Sequence, residues 1–315
     1  MCGAWLRKKE DELKTEQWKT IIGQFKEIGI KEIHFTGGEP LLRNDLTMLV
    51  RHCSALGLSV GLTTNGILLE EVLLKGLVEA GVYSIAVSLD ALGERYDQIR
   101  GAAGSYLVLE KALAALSAYH SAKKVRGSIN FTLMKLSISE FYGVKKLADR
   151  LRLPVAINLL DDSPYLFKEK HNRKEYWFGP ESMDAIDSLL IFLRNEKEKN
   201  PSSLLISLSA INYIGDYFSE SAVKRVPCIA SQDRIFVGPD GDVFGGCLSM
   251  GAFGNVKKTG LQRMLLDRPL REAHRNMFYK NCPGCSCGYL FNIQHCIPFA
   301  MSDMIKTGGA VRCHV

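Results

Sequence analysis

Short apolar runs alternate with longer amphipathic segments along the first half of the chain. The runs are rich in valine, isoleucine and leucine, which is typical of buried parallel strands. The segments between them repeat apolar residues at helical spacing. The pattern predicts strands at 33–35, 58–63, 82–90, 127–133 and 154–159, and helices at 15–28, 46–56, 69–80, 105–121 and 139–151, with Asn44 and Asp45 as an N-cap pair.

Five successive strand–helix repeats predict an α/β fold with a parallel sheet and helices outside it. The regular spacing favours a closed or partly closed barrel. In such a barrel, functional groups gather where the strands end. The polar residues in those positions are Gly37, Gly38, Glu39, Thr64, Asn65, Ser88 and Asp90, with Asn130 inside the strand predicted at 127–133.

The sequence Gly37-Gly38-Glu39-Pro40 breaks the first apolar run abruptly. Paired glycines let the backbone approach a ligand closely and leave its polar groups available to bind it. Glu39, held at the strand's carboxyl end by Pro40, could accept hydrogen bonds from an ammonium group. The alternative is an ordinary tight turn between a strand and a helix.

Length and charge restrict the remaining possibilities. A chain of 315 residues suits one large α/β domain with a smaller appendage, or two modest domains. The formal charge is +6, and the basic residues are scattered, which is not the pattern of a nucleic-acid surface. The sequence contains neither the apolar run of a membrane helix nor the apolar centre of a signal peptide near its start, so we expect a cytoplasmic protein.

Cysteines are concentrated near the end of the sequence. Seven of the nine lie in the last 88 residues, and Cys53 falls inside a helical pattern where a small core side chain is expected. An odd, bunched set without a secretion signal favours metal or cluster ligands over disulfides. The seven are Cys228, Cys247, Cys282, Cys285, Cys287, Cys296 and Cys313.

A hairpin is predicted at 234–244, with a Pro-Asp-Gly turn between two alternating strands. Cys228 and Cys247 flank it, and Cys282 and Cys285 form a CxxC loop further on. These four thiolates can converge on one site. Zinc and iron–sulfur clusters both accept four cysteines, and the spacing does not separate them.

The three loops GGEP, TTNG at 63–66 and SLDA at 88–91 resemble those of radical S-adenosylmethionine (SAM) enzymes. The resemblance covers most of residues 1–160. It implies a partial (β/α)6 TIM-like barrel whose first strand is missing from this chain. It also implies an enzyme that reductively cleaves SAM to a 5′-deoxyadenosyl radical, which abstracts hydrogen from a substrate.

The resemblance also implies how SAM would be held. Gly37, Gly38 and Glu39 would grip the methionyl amine, while Ser88, together with Asp90, would reach the ribose. These positions match the family's GGEP and SLDA loops one by one.

Three further residues complete the cofactor set that the resemblance implies. Arg100 corresponds to an arginine near the SAM carboxylate, a task that suits a guanidinium fork. A solvated arginine at a helix end is the alternative. Asn65 and Asn130 are the other two cofactor-binding candidates, although Asn65 could equally be a turn residue before Gly66.

Radical SAM enzymes bind a 4Fe-4S cluster through CxxxCxxC, and Cys2 fits the third cysteine. On this interpretation the chain starts inside the motif, and its ligand set for the SAM-binding cluster is incomplete. We therefore expect the 315-residue form to be inactive or impaired and to make no 5′-deoxyadenosine, whereas an upstream extension restores the reaction. The alternative is that Cys2 is an ordinary residue near a native start.

The cysteine-rich end resembles the twitch and SPASM extensions of the same family. Cys228, Cys247, Cys282 and Cys285 match the single-cluster twitch pattern. The two-cluster SPASM pattern needs more ligands, for which Cys287, Cys296 and Cys313 are available, but Cys285-Ser286-Cys287 departs from its spacing. We expect one auxiliary 4Fe-4S cluster, with two as the alternative.

The predicted domains are a barrel at 1–160, linker helices at 161–224 and a small α+β SPASM/twitch domain at 225–315. The resemblance implies a flavodoxin or ferredoxin as electron donor and leaves open peptide modification or small-molecule oxidation. We expect neither nucleic acid nor membrane as a partner. The alternatives are a non-catalytic zinc-stapled barrel that binds a partner and a molybdopterin-type GTP cyclase, which the tail after Gly308-Gly309 matches poorly.

Overall fold

A computed structural model describes residues 12–160, 173–219, 234–246, 248 and 251–266. These residues divide between two compact units. The sheet unit comprises Leu13–Leu133 and Ser139–Ile157. The second unit takes Met134–Ile138 and the described residues from Asn158 onward. The division into domains at residues 160 and 224 stays a prediction.

A parallel sheet in the order β1-β2-β3-β4-β5 confirms the predicted α/β architecture. Its strands are β1 Glu32–Phe35, β2 Ser59–Thr64, β3 Ser84–Ser88, β4 Arg126–Leu133 and β5 Val155–Leu159. The helices between them are α1 Thr15–Glu27, α2 Leu46–Ala55, α3 Glu71–Glu79, α4 Gly93–Arg100, α5 Ser105–Ser121 and α6 Phe141–Arg150, with 3-10 turns at Pro40–Leu42 and Ile138–Glu140.

The two faces of the sheet differ in burial. Along β4, every second residue from Gly127 to Leu133 is buried, and the residues between them are half-buried. Phe131 packs edge-on against Phe141 of α6, with ring centroids 5.0 Å apart, so the buried set faces the helices. We call the opposite side the inner face. It carries the polar residues of β3 and β4.

The start of α2 corrects one prediction. Asp45 occupies the N-cap position, but its side chain makes no capping hydrogen bond. Its carboxylate instead pairs with Arg43 at 2.8 Å and accepts a 2.6 Å hydrogen bond from Thr15. Partial burial raises the pKa of Asp45, but the contacts with Arg43 and Thr15 outweigh that effect and leave the pKa below its ordinary value. The residue ties α1 to the loop before α2.

The second unit contains two long helices and a hairpin. The aromatic residues Trp177 and Phe178 are buried and pack against Phe218, with centroids 5.2 and 4.5 Å apart. They form part of the core of this unit. The elements are α7 Arg173–Tyr176, α8 Met183–Lys199, α9 Leu208–Phe218, β6 Phe236–Val237, β7 Asp242–Phe244, β8 Gly254–Asn255 and α10 Leu261–Leu266, with 3-10 turns at Pro180–Ser182 and Pro201–Ser203.

The predicted hairpin is present as the antiparallel pair β6 and β7. Gly241 closes its turn at φ +92°, a conformation that favours glycine, and its N–H donates to the Gly238 carbonyl at 3.0 Å. Strand β8 pairs with β7 on the other side. Among the described residues, no helix combines the length and apolar composition needed to cross a bilayer.

Candidate functional site

The Gly37-Gly38 loop lies exposed at the edge where β1 ends. Gly37 has φ +128°, which favours glycine, whereas Gly38 has no such restriction. A Cβ built on either glycine would meet no atom within 4 Å. The backbone of this loop therefore borders open space that a ligand can enter.

Glu39 is fixed by its own neighbours. Its carboxylate accepts hydrogen bonds from Leu41 N–H at 3.0 Å, Thr64 Oγ1 at 2.7 Å and Asn65 N–H at 2.8 Å. A carboxylate has about four acceptor sites, so little capacity is left for a ligand. The Glu39 side chain joins the loop after β1 to the loop after β2, and contacts of Gly37, Gly38 and Glu39 with an amine stay a prediction.

Thr64 belongs to this link between the two loops, although the sequence analysis does not place it among the cofactor residues. It is 2% exposed, donates to Glu39 and accepts the Gly66 N–H at 3.0 Å. The hydroxyl thus joins the loops after β1 and β2. A threonine at the end of a strand is too common for its sequence position to reveal this role.

Asn65 has the geometry of a turn residue. Its Oδ1 accepts the Ile67 N–H at 2.9 Å, which forms an Asx turn, and its carbonyl accepts the Tyr96 hydroxyl at 3.3 Å. Gly66 follows at φ +80°, where a Cβ would collide with Leu109. This geometry matches the turn alternative, and a cofactor contact by Asn65 stays a prediction.

Asp90 is buried behind the site. It is 5% exposed, and its two oxygens bind the Thr132 N–H at 2.7 Å and Arg100 Nη2 at 3.2 Å. Desolvation raises the pKa of Asp90, and the Arg100 charge and the Thr132 hydrogen bonds oppose the shift. Asp90 is therefore arranged to hold Arg100, and its contact with a ribose stays a prediction.

Arg100 ends α4 and folds back onto the end of β3. Its Nη2 lies 3.3 Å from the Ser88 carbonyl, and its guanidinium carbon lies 5.2 Å from the Tyr96 ring centroid. The side chain is 20% exposed, and its Nε is buried without a hydrogen-bond partner among the described residues. An arginine anchored in this way does not fit a solvated helix-end arginine, and its contact with a carboxylate ligand stays a prediction.

Ser88 and Asn130 lie side by side on the inner face. They are paired in the register of β3 and β4, and both are half-buried. The neighbouring Leu89 N–H donates to the Asn130 carbonyl at 2.9 Å. The structure thus brings a hydroxyl and an amide together near the end of β3.

His34 is an inner-face residue that the sequence analysis does not single out. Its Nε2 lies 2.8 Å from Thr63 Oγ1, and a Cβ at Gly61 would collide with its ring. Solvent reaches the ring, yet protein atoms surround it closely enough that desolvation lowers its pKa from 6.5. The imidazole is consequently neutral at neutral pH. The His34 ring fits beside Gly61 because glycine has no side chain.

The predicted cluster ligands Cys2, Cys228, Cys247, Cys282, Cys285, Cys287, Cys296 and Cys313 all lie outside the described residues. Within the described ranges, no group of three or more His, Cys, Asp or Glu side chains is placed to hold a metal. Cys53 is buried and free, as predicted. Burial raises the pKa of its thiol to about 12, which makes it inert.

Residues 1–148 match the sequence model of the Radical SAM superfamily. Among curated proteins the chain is 31% identical over 147 residues to the Fe-coproporphyrin III synthase of Methanosarcina barkeri, covering 46% of this chain and 35% of that protein. It is 40% identical over 83 residues to the PqqA peptide cyclase of Bradyrhizobium diazoefficiens, covering 26% and 22%. The matched segments thus span about a third or less of these relatives' length.

Solved structures share the fold over most of the chain. Native anSMEcpe with bound AdoMet aligns with a TM-score of 0.66 at 17% identity, covering 95% of this chain and 90% of that one. SuiB of Streptococcus suis bound to S-adenosylmethionine aligns with a TM-score of 0.59 at 16% identity, covering 87% and 64%. At this identity the likeness shows the fold alone.

Proposed function

We propose that the protein is a radical SAM enzyme that cleaves SAM reductively to a 5′-deoxyadenosyl radical and abstracts hydrogen from a peptide. The observation that carries this proposal is the exposed Gly37-Gly38 backbone, clamped by the three hydrogen bonds to Glu39. A loop that is rigid before binding loses little entropy when it takes a ligand.

The residues present fit SAM. Backbone carbonyls at Gly37 and Gly38 would accept hydrogen bonds from the ammonium group, and the guanidinium of Arg100, which is 20% exposed, would bind the carboxylate. Ser88 and Asn130 offer a hydroxyl and an amide to the ribose from the inner face. Asp90 acts indirectly, because it holds Arg100 in place.

The cluster assignments belong to the same proposal. Cys2 is a ligand of the SAM-binding 4Fe-4S cluster, and Cys228, Cys247, Cys282 and Cys285 hold one auxiliary cluster, with Cys287, Cys296 and Cys313 available for a second. Bound SAM and a reduced cluster supply the radical chemistry. The reductant is a flavodoxin or ferredoxin, and the reducing cytoplasm is the compartment in which such thiolates persist.

The peptide substrate is supported by the relatives named PqqA peptide cyclase, one of which is 40% identical over its matched segment. A second candidate is oxidation of an iron tetrapyrrole. It is supported by the match to Fe-coproporphyrin III synthase and by a 33% identical AdoMet-dependent heme synthase of Oleidesulfovibrio alaskensis.

Metal and SAM analysis tests the proposal. After anaerobic reconstitution we expect iron and acid-labile sulfide in equal amounts, about four of each for a cysteine-bound 4Fe-4S cluster. Substituting Cys282 and Cys285 together with alanine should remove that iron, while Cys53→Ala, which alters a buried inert thiol, should keep it. Zinc without sulfide would contradict the cluster assignment.

SAM binding is measured separately by equilibrium dialysis with labelled SAM. Arg100→Lys keeps the positive charge beside Asp90 but loses the guanidinium fork, so we expect weaker SAM binding by a protein that circular dichroism shows to be folded. Lys111→Arg, an exposed change elsewhere, is the control. Equal affinity in all three proteins would overturn the role of Arg100. Turnover of peptide or iron coproporphyrin III by the form extended upstream, in which we expect the reaction to be restored, then separates the two substrate classes.

A further inference from the structure

A basic groove lies at the edge of the sheet unit where the strands begin, opposite the edge that carries the Gly37-Gly38 loop. It has a volume of about 800 Å³ and is open to solvent beside the ends of α3 and α5, the loop before β3, the loop after α6 and the first residue of β4. Among the described residues that line it, four are cations and one is a histidine, and none is Asp or Glu. These five residues are His120, Lys123, Lys124, Arg126 and Arg152.

The four cations are exposed, and no carboxylate among the described residues pairs with them. Some basic side chains elsewhere in the sheet unit pair with acids: Lys19 lies 2.7 Å from Glu16 and Lys145 lies 2.6 Å from Asp149. The formal charge of the whole chain is only +6. Four unneutralised positive charges around one groove are therefore a local concentration that attracts anions.

Aromatic rings support two of these cations. The Arg126 guanidinium carbon lies 4.6 Å from the Tyr83 ring centroid, and Lys124 Nζ lies 5.6 Å from the Tyr119 centroid. Such contacts steady a cation and leave its N–H donors free. His120 Nδ1 accepts the Gly127 N–H at 3.0 Å, so the neutral ring carries its proton on Nε2 and has a donor to offer.

The positions of helix ends explain only some of the four cations. Lys123 and Arg152 follow the ends of α5 and α6 in the left-handed region, at φ +57° and +56°, and helix C-termini attract cations. Arg126 begins a strand, and no helix end explains its charge. Glycine or asparagine is the usual residue at such left-handed positions, yet a lysine and an arginine occupy them here.

We propose that this groove binds an acidic peptide segment, whose carboxylates pair with the four cations. The volume accommodates several residues of extended chain, and long flexible side chains from separate elements suit charges spread along a peptide. A compact phosphate site would instead use a cradle of backbone N–H groups, often glycine-rich, and the described lining has none. The groove is independent of the SAM site and of the function proposed above.

Fluorescence anisotropy with a labelled oligoglutamate peptide tests this proposal on the whole 315-residue chain. We expect binding that weakens with added salt, and no binding of the matched oligoglutamine peptide. The double variant Lys124→Glu/Arg126→Glu should weaken oligoglutamate binding by about tenfold or more, because it replaces attraction with repulsion.

The control variant Lys111→Glu/Lys146→Glu makes the same change in charge on exposed positions of α5 and α6 outside the groove. It should bind oligoglutamate nearly as the parent does. Equal losses of oligoglutamate affinity in both variants would show that the effect depends only on net charge, and this would overturn the proposal. So would binding of inorganic polyphosphate without binding of oligoglutamate. Circular dichroism confirms that each variant is folded.

Discussion

Two neighbouring glycines in the exposed loop carry different constraints. Gly37 needs its conformation, at φ +128°, while nothing in the described protein restricts Gly38. Gly37→Ala should lower the free energy of unfolding by about 1–2 kcal/mol. Gly38→Ala should leave it unchanged, since a methyl group there points into open space. Urea denaturation measures both.

Gly38→Ala, which should leave the free energy of unfolding unchanged, should nevertheless weaken ligand binding. If SAM approaches this backbone, the Gly38→Ala methyl group occupies space that the ligand needs, and affinity in equilibrium dialysis should fall by about tenfold or more. An unchanged SAM affinity in the folded Gly38→Ala variant would show that the loop is only a tight turn.

His34, on the inner face, makes the stability of the protein depend on pH. Its folded pKa is lowered from 6.5, so as pH falls the unfolded chain takes up the proton first. Proton uptake by the unfolded chain lowers stability as pH drops through 6.5 toward the folded pKa. We expect His34→Gln to lose less stability than the parent between neutral and mildly acidic pH.

The effect should be small, because solvent still reaches the His34 ring. His52→Gln, on α2, controls for the loss of one imidazole. Parallel stability–pH profiles for the parent and His34→Gln, obtained by urea denaturation, would contradict the lowered pKa.

At the scale of elements, Gly66 lets the end of β2 pack tightly against α5. An alanine there meets both the positive φ and the Leu109 side chain. Gly93, at φ +54° with no atom within 4 Å of a built Cβ, isolates the backbone part of the cost. We expect Gly93→Ala to lose about 1 kcal/mol and Gly66→Ala about 1–3 kcal/mol more, by urea denaturation.

A double-mutant cycle then identifies the clash. Leu109→Ala is itself destabilising, but in its background Gly66→Ala should cost less than it does alone. Additive effects of the two substitutions would locate the strain in the backbone and not in the contact with Leu109.

Element prediction succeeded where a long segment was rich in strong helix formers and failed where the segment was short and polar or poor in them. Helix α5 has the predicted bounds, because alanines and leucines recur through its 17 residues. The short α4 was not predicted, since Tyr96 is its one buried residue. Helix α9 contains tyrosines, an asparagine and a glycine, which are weak helix formers, and packing stabilises it instead.

At the scale of the whole molecule, the sequence analysis finds the parallel sheet and the edge at which polar residues gather. It does not find their partners. Thr64 donates a hydrogen bond to Glu39, 25 residues away in sequence, and the Thr132 N–H donates to Asp90, 42 residues away. The register of neighbouring strands brings these pairs together. Periodicity within one segment contains no information about register between segments.

The alternation along β3 and β4 has a consequence for how such a protein can change. Side chains on the helix-facing side are fully buried, and each substitution there disturbs packing. Ser88, Asn130 and their neighbours on the inner face of β3 and β4 are only half-buried. Mutation can therefore exchange the chemistry of one face while the other preserves the fold, so descendants can acquire new substrates without first acquiring a new scaffold.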